Sequence, residues 1–190
     1  EQPALPEAEI PTTEAVRTSQ GNTSVSTPTP KVGFQGNYYY NENGQKVTDK
    51  WIYDEQHQKW FYFQQDGQAA KNTWKDDYYL KNDGTMAASE WVYDENYGSW
   101  YYLKEDGKYA RNEWFYYKNG WYYLNETGAM EKGWLEVSNK WYYLDQDGKM
   151  ETGWVQVENK WYYLNKSGAL LTNTTTPDGY KVNRDGVWVK

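Results

Sequence analysis

The side chains able to do chemistry in this sequence are above all aromatic rings: 12 Trp, 21 Tyr and 4 Phe among 190 residues. Ring faces are electron-rich, so they attract cations and stack on flat apolar groups. Other constellations are thin. There is no Cys and a single His, so thiolate sites and multi-imidazole zinc sites lack ligands. His57 sits in the polar stretch EQHQK beside no nucleophile or base and reads as a surface residue. Acid pairs occur at Asp76-Asp77 and Glu105-Asp106, and Asp145 and Asp147 before Gly148 resemble part of a calcium loop. An EF-hand needs more ligands within a span of about 12 residues, whereas acidic residues before a glycine are ordinary turn chemistry. The reading is therefore no catalytic residue, no metal and no cofactor.

The rings are spaced by a repeat. Aligned on a turn glycine, the segments NYYYNENG (37–44), WFYFQQDG (60–67), DYYLKNDG (77–84), WYYLKEDG (100–107), WYYLNETG (121–128), WYYLDQDG (141–148) and WYYLNKSG (161–168) are seven copies of one unit. Each of the first six is followed by a tryptophan: Trp51, Trp74, Trp91, Trp114, Trp134 and Trp154. Aromatic residues outnumber Leu, Ile and Val, as an ordinary globular core would not require, and an internal repeat accounts for the excess.

Each unit must be built to position its rings. Trp134 to Leu144 (WLEVSNKWYYL) is rich in β-formers broken by Ser138-Asn139, which predicts a hairpin with a two-residue turn. That turn sets Val137 opposite Lys140, Glu136 opposite Trp141, Leu135 opposite Tyr142 and Trp134 opposite Tyr143. Alternation then places Trp134, Trp141 and Tyr143 on one face and Leu135, Val137, Tyr142 and Leu144 on the other, buried one. The same arithmetic applies from Trp154 to Leu164 and, with two more turn residues, to the hairpins Trp51–Trp60 and Trp91–Trp100. One hairpin is marginal in water, so the units are expected to stack as a solenoid closed by a C-terminal cap. At Trp74 only Lys75 and Asp76 precede Asp77, which stands in the place of a second Trp. The expectation there is no hairpin, an irregular stretch over residues 74–80 with Met86 in the core, and no ligand between Trp74 and Tyr102.

Five of the six prolines lie in residues 1–33, in a background rich in Ser, Thr and Glu. Such composition buries too little to offset its ordering entropy, so residues 1–33 read as a disordered tether. Residues 34–190 form the repeat module, with irregular repeats over 37–114, regular repeats over 114–174 and the cap over 175–190. The start lacks Met and any basic-then-apolar leader, as after removal of an export signal or at an arbitrary boundary. A net charge of -7 argues against nucleic acid. With mean hydropathy -1.13 and no long apolar run, no membrane insertion is expected.

The pattern GW…KWYYLN..GAM..GW, as it stands from Trp134 to Trp154, resembles the choline-binding repeats of surface proteins and cell-wall hydrolases of pneumococci and their phages. The resemblance covers residues 37–190 and is tightest in the last three copies. It implies an all-β fold, a left-handed superhelix of β-hairpins. It also implies cages in which two Trp of one hairpin, an aromatic of the next and often a Met hold the choline groups of teichoic acid. Carried over by position, the implied choline-binding sets are Trp114, Trp121, Met130 and Tyr143; Trp134, Trp141, Met150 and Tyr163; and Trp154, Trp161, Leu170 and Tyr180. Weaker sets are Trp91, Trp100 and Tyr123, with Tyr109 in the Met position, and Trp51, Trp60 and Tyr79, with Ala69 there. The second Tyr of each WYY is chosen by strand parity, and the first remains an alternative.

A quaternary ammonium donates no hydrogen bond, so several ring faces are its natural host, at ~0.5–2 kcal/mol per contact. The competing reading is cross-strand packing without a ligand, evenly weighed for the tyrosines and less so for the paired tryptophans. What the resemblance implies is a non-enzymatic, secreted protein held non-covalently at a bacterial surface by choline or phosphocholine of teichoic and lipoteichoic acids. It would modulate autolysins or contact a host. The alternatives are a glucan-binding module, or the wall-anchoring part of a cell-wall hydrolase whose catalytic domain is missing.

Overall fold

A computed structural model describes residues 30–190, so the tether expected over residues 1–33 lies almost wholly outside the described residues. All regular structure among the described residues is β-strand, and no helix there is long and apolar enough to cross a membrane. Seven two-stranded hairpins follow one another. They are β1 (Gly33–Gln35) with β2 (Tyr38–Tyr40), β3 (Lys50–Asp54) with β4 (Lys59–Phe63), β5 (Thr73–Lys75) with β6 (Tyr78–Leu80), and β7 (Glu90–Asp94) with β8 (Ser99–Leu103). Then come β9 (Glu113–Tyr117) with β10 (Gly120–Leu124), β11 (Gly133–Val137) with β12 (Lys140–Leu144), and β13 (Gly153–Val157) with β14 (Lys160–Leu164). A three-stranded sheet of β15 (Thr174–Thr175), β16 (Lys181–Val182) and β17 (Trp188–Val189) follows, in the stretch expected to be the cap.

The described chain forms two compact units. Among the described residues, one comprises those up to Glu90 with Leu103–Lys108; the other comprises Trp91–Tyr102 with Tyr109–Lys190.

The β11–β12 register is Trp134 to Tyr143, Leu135 to Tyr142, Glu136 to Trp141 and Val137 to Lys140, as the Ser138-Asn139 turn predicts. Both turn residues have positive φ, 52° and 61°, the signature of the turn whose twist matches antiparallel strands. Glu158 and Asn159 do the same between β13 and β14, with φ 48° and 64°. After each hairpin the chain reverses again. The Asn125 side chain accepts hydrogen bonds from the amides of Thr127 and Ala129, while Gly128 closes the turn at φ 84°. Asp145 does likewise for Asp147 and Lys149, which gives its carboxylate a structural task.

The expectation for residues 74–80 is corrected. β5 and β6 do pair, Trp74 with Tyr79 and Lys75 with Tyr78, around an Asp76-Asp77 turn in which Asp76 has φ 51°. Thr73 before Trp74 supplies the strand residue left out of the count, and three residues a side suffice. The hairpin is two residue pairs shorter than β9–β10, and what it loses is the position of the second Trp. Met86 is buried, in a cluster with Tyr62, Ala70, Tyr78 and Leu80.

From β4 onward, the last residue of each hairpin's second strand is the core position, whereas Tyr40 at the end of β2 is only partly buried. Phe63, Leu80, Leu103, Leu124, Leu144 and Leu164 are all fully buried, each contributing roughly 1.5–3 kcal/mol by removal from water. Within a unit, the linker after a hairpin ties it to the one before. The Met150 amide donates to the Trp121 carbonyl at 2.8 Å, and the next amide, of Glu151, donates to Tyr143 within its own hairpin at 2.8 Å.

His57 is exposed, yet it is not without a partner. Its ring bonds the Asp54 carboxylate and lies edge-on to Phe34 and Phe61.

Candidate functional site

Within a hairpin, cross-strand pairing stacks the first Trp against the second Tyr of WYY. Ring centroids are 5.1 Å apart for Trp114 and Tyr123, 5.0 Å for Trp134 and Tyr143, and 5.2 Å for Trp154 and Tyr163. The second Tyr therefore buttresses its own hairpin's Trp. The ring that meets that Trp from the following hairpin is the first Tyr: Tyr142 lies 4.8 Å from Trp114, Tyr162 lies 4.8 Å from Trp134, and Tyr122 lies 5.4 Å from Trp91. These pairs are steeply inclined, 61° to 70° between planes, so two walls of a recess meet at a corner.

The reason is parity. Within each unit successive hairpins stack in the same sense, so the tryptophan face of one looks onto the opposite face of the next. That face carries Leu135, Val137 and Tyr142. Tyr143 joins Trp134 rather than Trp114, Tyr163 joins Trp154 rather than Trp134, and Tyr123 joins Trp114 rather than Trp91. In the first unit Tyr78, not Tyr79, meets Trp51, at 5.4 Å.

The apolar floor is displaced by one repeat as well. Four linkers cross back over the preceding hairpin, where an amide binds the second-Trp carbonyl: Met86 on Trp60, Met130 on Trp100, Met150 on Trp121 and Leu170 on Trp141, at 2.8 to 2.9 Å. Met130 thus belongs with Trp91 and Trp100, Met150 with Trp114 and Trp121, and Leu170 with Trp134 and Trp141. Tyr109 and Ala69, expected in the Met positions, instead lie near the turn glycines Gly128 and Gly84. The floor explains a glycine too. A Cβ on Gly148 would lie 2.5 Å from the Met130 sulfur, so only glycine leaves room for the methionine there, quite apart from its φ of 84°.

Three recesses result in the second unit. Trp91, Trp100, Tyr122 and Met130, with Tyr117, enclose about 310 Å³, with Lys132, Gln146 and Asp147 at the rim. Trp134, Trp141, Tyr162 and Leu170 enclose about 440 Å³, with Thr172, Arg184 and Asp185 around them. At the C-terminal end Trp154, Trp161, Tyr180 and Trp188 enclose about 380 Å³ together with Asp178. Trp114, Trp121, Tyr142 and Met150 repeat the same relations between the first two recesses. The second tryptophans stand open to solvent: Trp100, Trp121, Trp141 and Trp161 are 41 to 43% exposed. Such surface at four equivalent positions is unusual for a packing residue.

The choline-binding repeat family matches residues 116–146 and 132–174 and, in a second form, residues 68–109, and a cell wall binding repeat matches residues 49–69. The choline-binding domain of CbpL from Streptococcus pneumoniae is 42% identical, with 83% of this chain and 85% of that one aligned at a TM-score of 0.75.

The chain belongs to the choline-binding repeat family.

Choline binding protein F of Streptococcus pneumoniae is 39% identical, with 84% of this chain and 58% of that one covered at a TM-score of 0.68. The modular autolysin LytC of the same species is 36% identical, at 82% and 41% coverage and a TM-score of 0.53. Two pneumococcal proteins that bear the name of an endo-beta-N-acetylglucosaminidase match at 44% identity over 39 residues, 20% of this chain and 6% of theirs. The chain is a choline-binding module by family, and hydrolases are among the proteins that carry such modules.

Among the site residues read from the sequence, the structure brings together the paired tryptophans, Leu170 with one such pair and Tyr180 with another. It regroups the second tyrosines and the methionines. Sequence reasoning missed Tyr122, Tyr142, Tyr162, Tyr78, Trp188 and Asp178. The first four were legible as the alternative tyrosine once like-oriented stacking is assumed; the last two lie outside the repeat and carry no periodic signal.

Proposed function

We propose that the module holds choline or phosphocholine groups of cell-wall teichoic and lipoteichoic acids in the recesses between its hairpins, and so attaches a secreted protein non-covalently to a bacterial surface. The observation that carries this is the repeated corner of two Trp and the first Tyr of the next hairpin, floored by Met or Leu and open to solvent. A trimethylammonium group fills such a corner with its methyls against ring faces and needs no hydrogen bond from the protein. In each unit consecutive hairpins form a repeating stack, residues 34–190 act as the module and residues 1–33 as its tether. The relative CbpF has been crystallised in complex with ipratropium, itself a quaternary ammonium compound. On this reading the module is non-enzymatic, and it competes with autolysins for choline or presents its surface to a host partner. A glucan-binding role is disfavoured, because the ring pairs form inclined corners instead of the flat platform a sugar face needs.

Retention on a quaternary amine matrix tests the proposal. Free choline is expected to release the protein at a concentration where matched sodium chloride does not, since exposed charge attraction is screened by any salt while cage binding is not. Equal elution by both would refute it, and glucose oligomers are expected to release nothing.

A further inference from the structure

The C-terminal recess differs from the other two in a way that bears on its ligand. Its third and fourth rings come from the C-terminal sheet region: Tyr180 stands 5.8 Å from Trp154 at 85°, and Trp188 stands 6.3 Å from Tyr180 at 76°. A carboxylate joins these rings. The indole N–H of Trp154 donates to Oδ2 of Asp178 at 2.8 Å, and the Thr176 hydroxyl donates to Oδ1 at 2.6 Å. The Tyr180 amide in turn donates to that hydroxyl at 3.0 Å, so the carboxylate is braced against the rings it serves. The two donors to Asp178 hold its pKa below the usual carboxylate value, which keeps it ionised under mildly acidic conditions.

The other recesses carry balanced rims. Asp147 is accompanied by Lys132 in one, and Asp185 by Arg184 in the other, with 3.9 Å between the latter pair. Among the described residues, those that line the C-terminal recess with Asp178 are all aromatic and none is basic. Each carboxylate oxygen has two acceptor positions, and the two intramolecular donors occupy one on each. The backbone amide of Asp178 is a further donor to this carboxylate, and with four acceptor positions in all the group retains capacity for a ligand.

We infer that the C-terminal recess is a carboxylate-assisted ammonium site that takes ligands retaining an N–H, such as the incompletely methylated amino alcohols, as well as choline, and discriminates between them less than the other recesses do. A quaternary ammonium feels Asp178 only as charge. A tertiary or lower ammonium also donates a hydrogen bond to it, and that bond offsets the ring contact and desolvation lost with each methyl group. In the balanced recesses nothing offsets that loss. The inference rests on the choline reading above, and the experiment separates the two.

The full chain is labelled with 5-fluorotryptophan, and the fluorine resonances are assigned by single Trp→Phe substitutions. It is then titrated near neutral pH with choline and, separately, with protonated N,N-dimethylethanolamine. Trp161 and Trp188 report the C-terminal recess; Trp134 and Trp141 report its neighbour. The ratio of the dimethylethanolamine Kd to the choline Kd is expected to be about tenfold smaller at the C-terminal recess, the size of one charge-assisted hydrogen bond. Asp178→Asn keeps an acceptor for Trp154 but removes the charge, and it is expected to raise the ratio to its neighbour's. Equal ratios at the two recesses in the wild type overturn the inference with no variant needed, as does an unchanged ratio in Asp178→Asn. Choline shifts at both recesses in such a result would leave the choline reading standing. Absence of choline shifts at both would overturn reading and inference together.

Discussion

The tryptophan pairs Trp51/Trp60 and Trp134/Trp141 occupy the same register of the same repeat, yet one is closed and the other open. Around Trp51 and Trp60 the next-hairpin tyrosine and the floor methionine are buried, Tyr78 at 4% and Met86 at 9% exposure. Around Trp134 and Trp141 the equivalents Tyr162 and Leu170 are only half-buried and enclose about 440 Å³. The hairpin that follows makes the difference. β5–β6 lacks the outer two residue pairs, and Lys75, in the place of Phe115 or Leu135, puts its ammonium 5.1 Å from the centre of the Tyr62 ring. The chain thus supplies a cation of its own to this aromatic cluster. A pair of tryptophans alone does not make an open recess: the closed cluster is followed by the three-pair hairpin and the open one by a five-pair hairpin.

The sharpest way to break this comparison is to truncate one tryptophan on each side. Trp60→Ala should cost about 3–5 kcal/mol of stability in denaturant melts, as for an aromatic packed against a core, and leave choline stoichiometry unchanged. Trp141→Ala should cost less and remove one equivalent in calorimetric titration. Loss of an equivalent from Trp60→Ala would show that the closed cluster opens to ligand.

Choline itself gives the next largest effect. A concentration 100-fold above Kd stabilises a folded site by about 2.7 kcal/mol, and amide hydrogen exchange should slow in β7 to β17 and little in β1 to β6. Uniform slowing would argue that the first unit also binds.

Alkaline pH probes the closed cluster. Burial, reinforced by a hydrogen bond to Asp49, raises the Tyr62 phenol to about 12 from an ordinary 10.0. The folded state holds this proton more tightly than the unfolded one, so the stabilisation is fully present below pH 10 and is lost as pH rises through the folded value. Absorbance titration should find Tyr62 among the last phenols to ionise, and Tyr62→Phe should make the alkaline loss of stability shallower. An unchanged profile would exclude Tyr62 as its source.

The smallest effect is expected from Lys75→Ala. The lysine contributes about 0.5–1 kcal/mol over an aromatic face, and stoichiometry should stay constant because Tyr78 and Met86 remain buried. A new choline equivalent would instead make the lysine the sole reason for closure.

Much of this was legible in the residues. The Ser138-Asn139 turn fixes every pair of β11–β12, and alternation from it puts Leu144 inside and Trp141 outside. Parity within a hairpin is local chemistry, so a local reading finds it. Which Tyr faces which Trp depends on how one hairpin lies on the next, and there a choice between Tyr142 and Tyr143 turned on whether like or unlike faces meet. Met130 was misplaced for the same reason: its backbone bond goes to Trp100, a hairpin behind the one it leaves. Asp178 and Trp188 were not legible at all, because the cap has no second copy against which to align them.

The path of the linkers has an evolutionary consequence. The recess at Trp91 draws its corner from β7–β8 and β10, its floor from Met130, and part of its rim from Gln146 and Asp147, beyond β12. No repeat owns a recess; each contributes a wall, a floor or a rim to several. An excised repeat would bind nothing, whereas a tandem duplication inside the array would raise the valence by one and leave the sites on either side as they were. Copy number is then an adjustable trait, set by recombination between near-identical segments, and on the proposed function attachment would strengthen in whole steps with no new residue having to be invented.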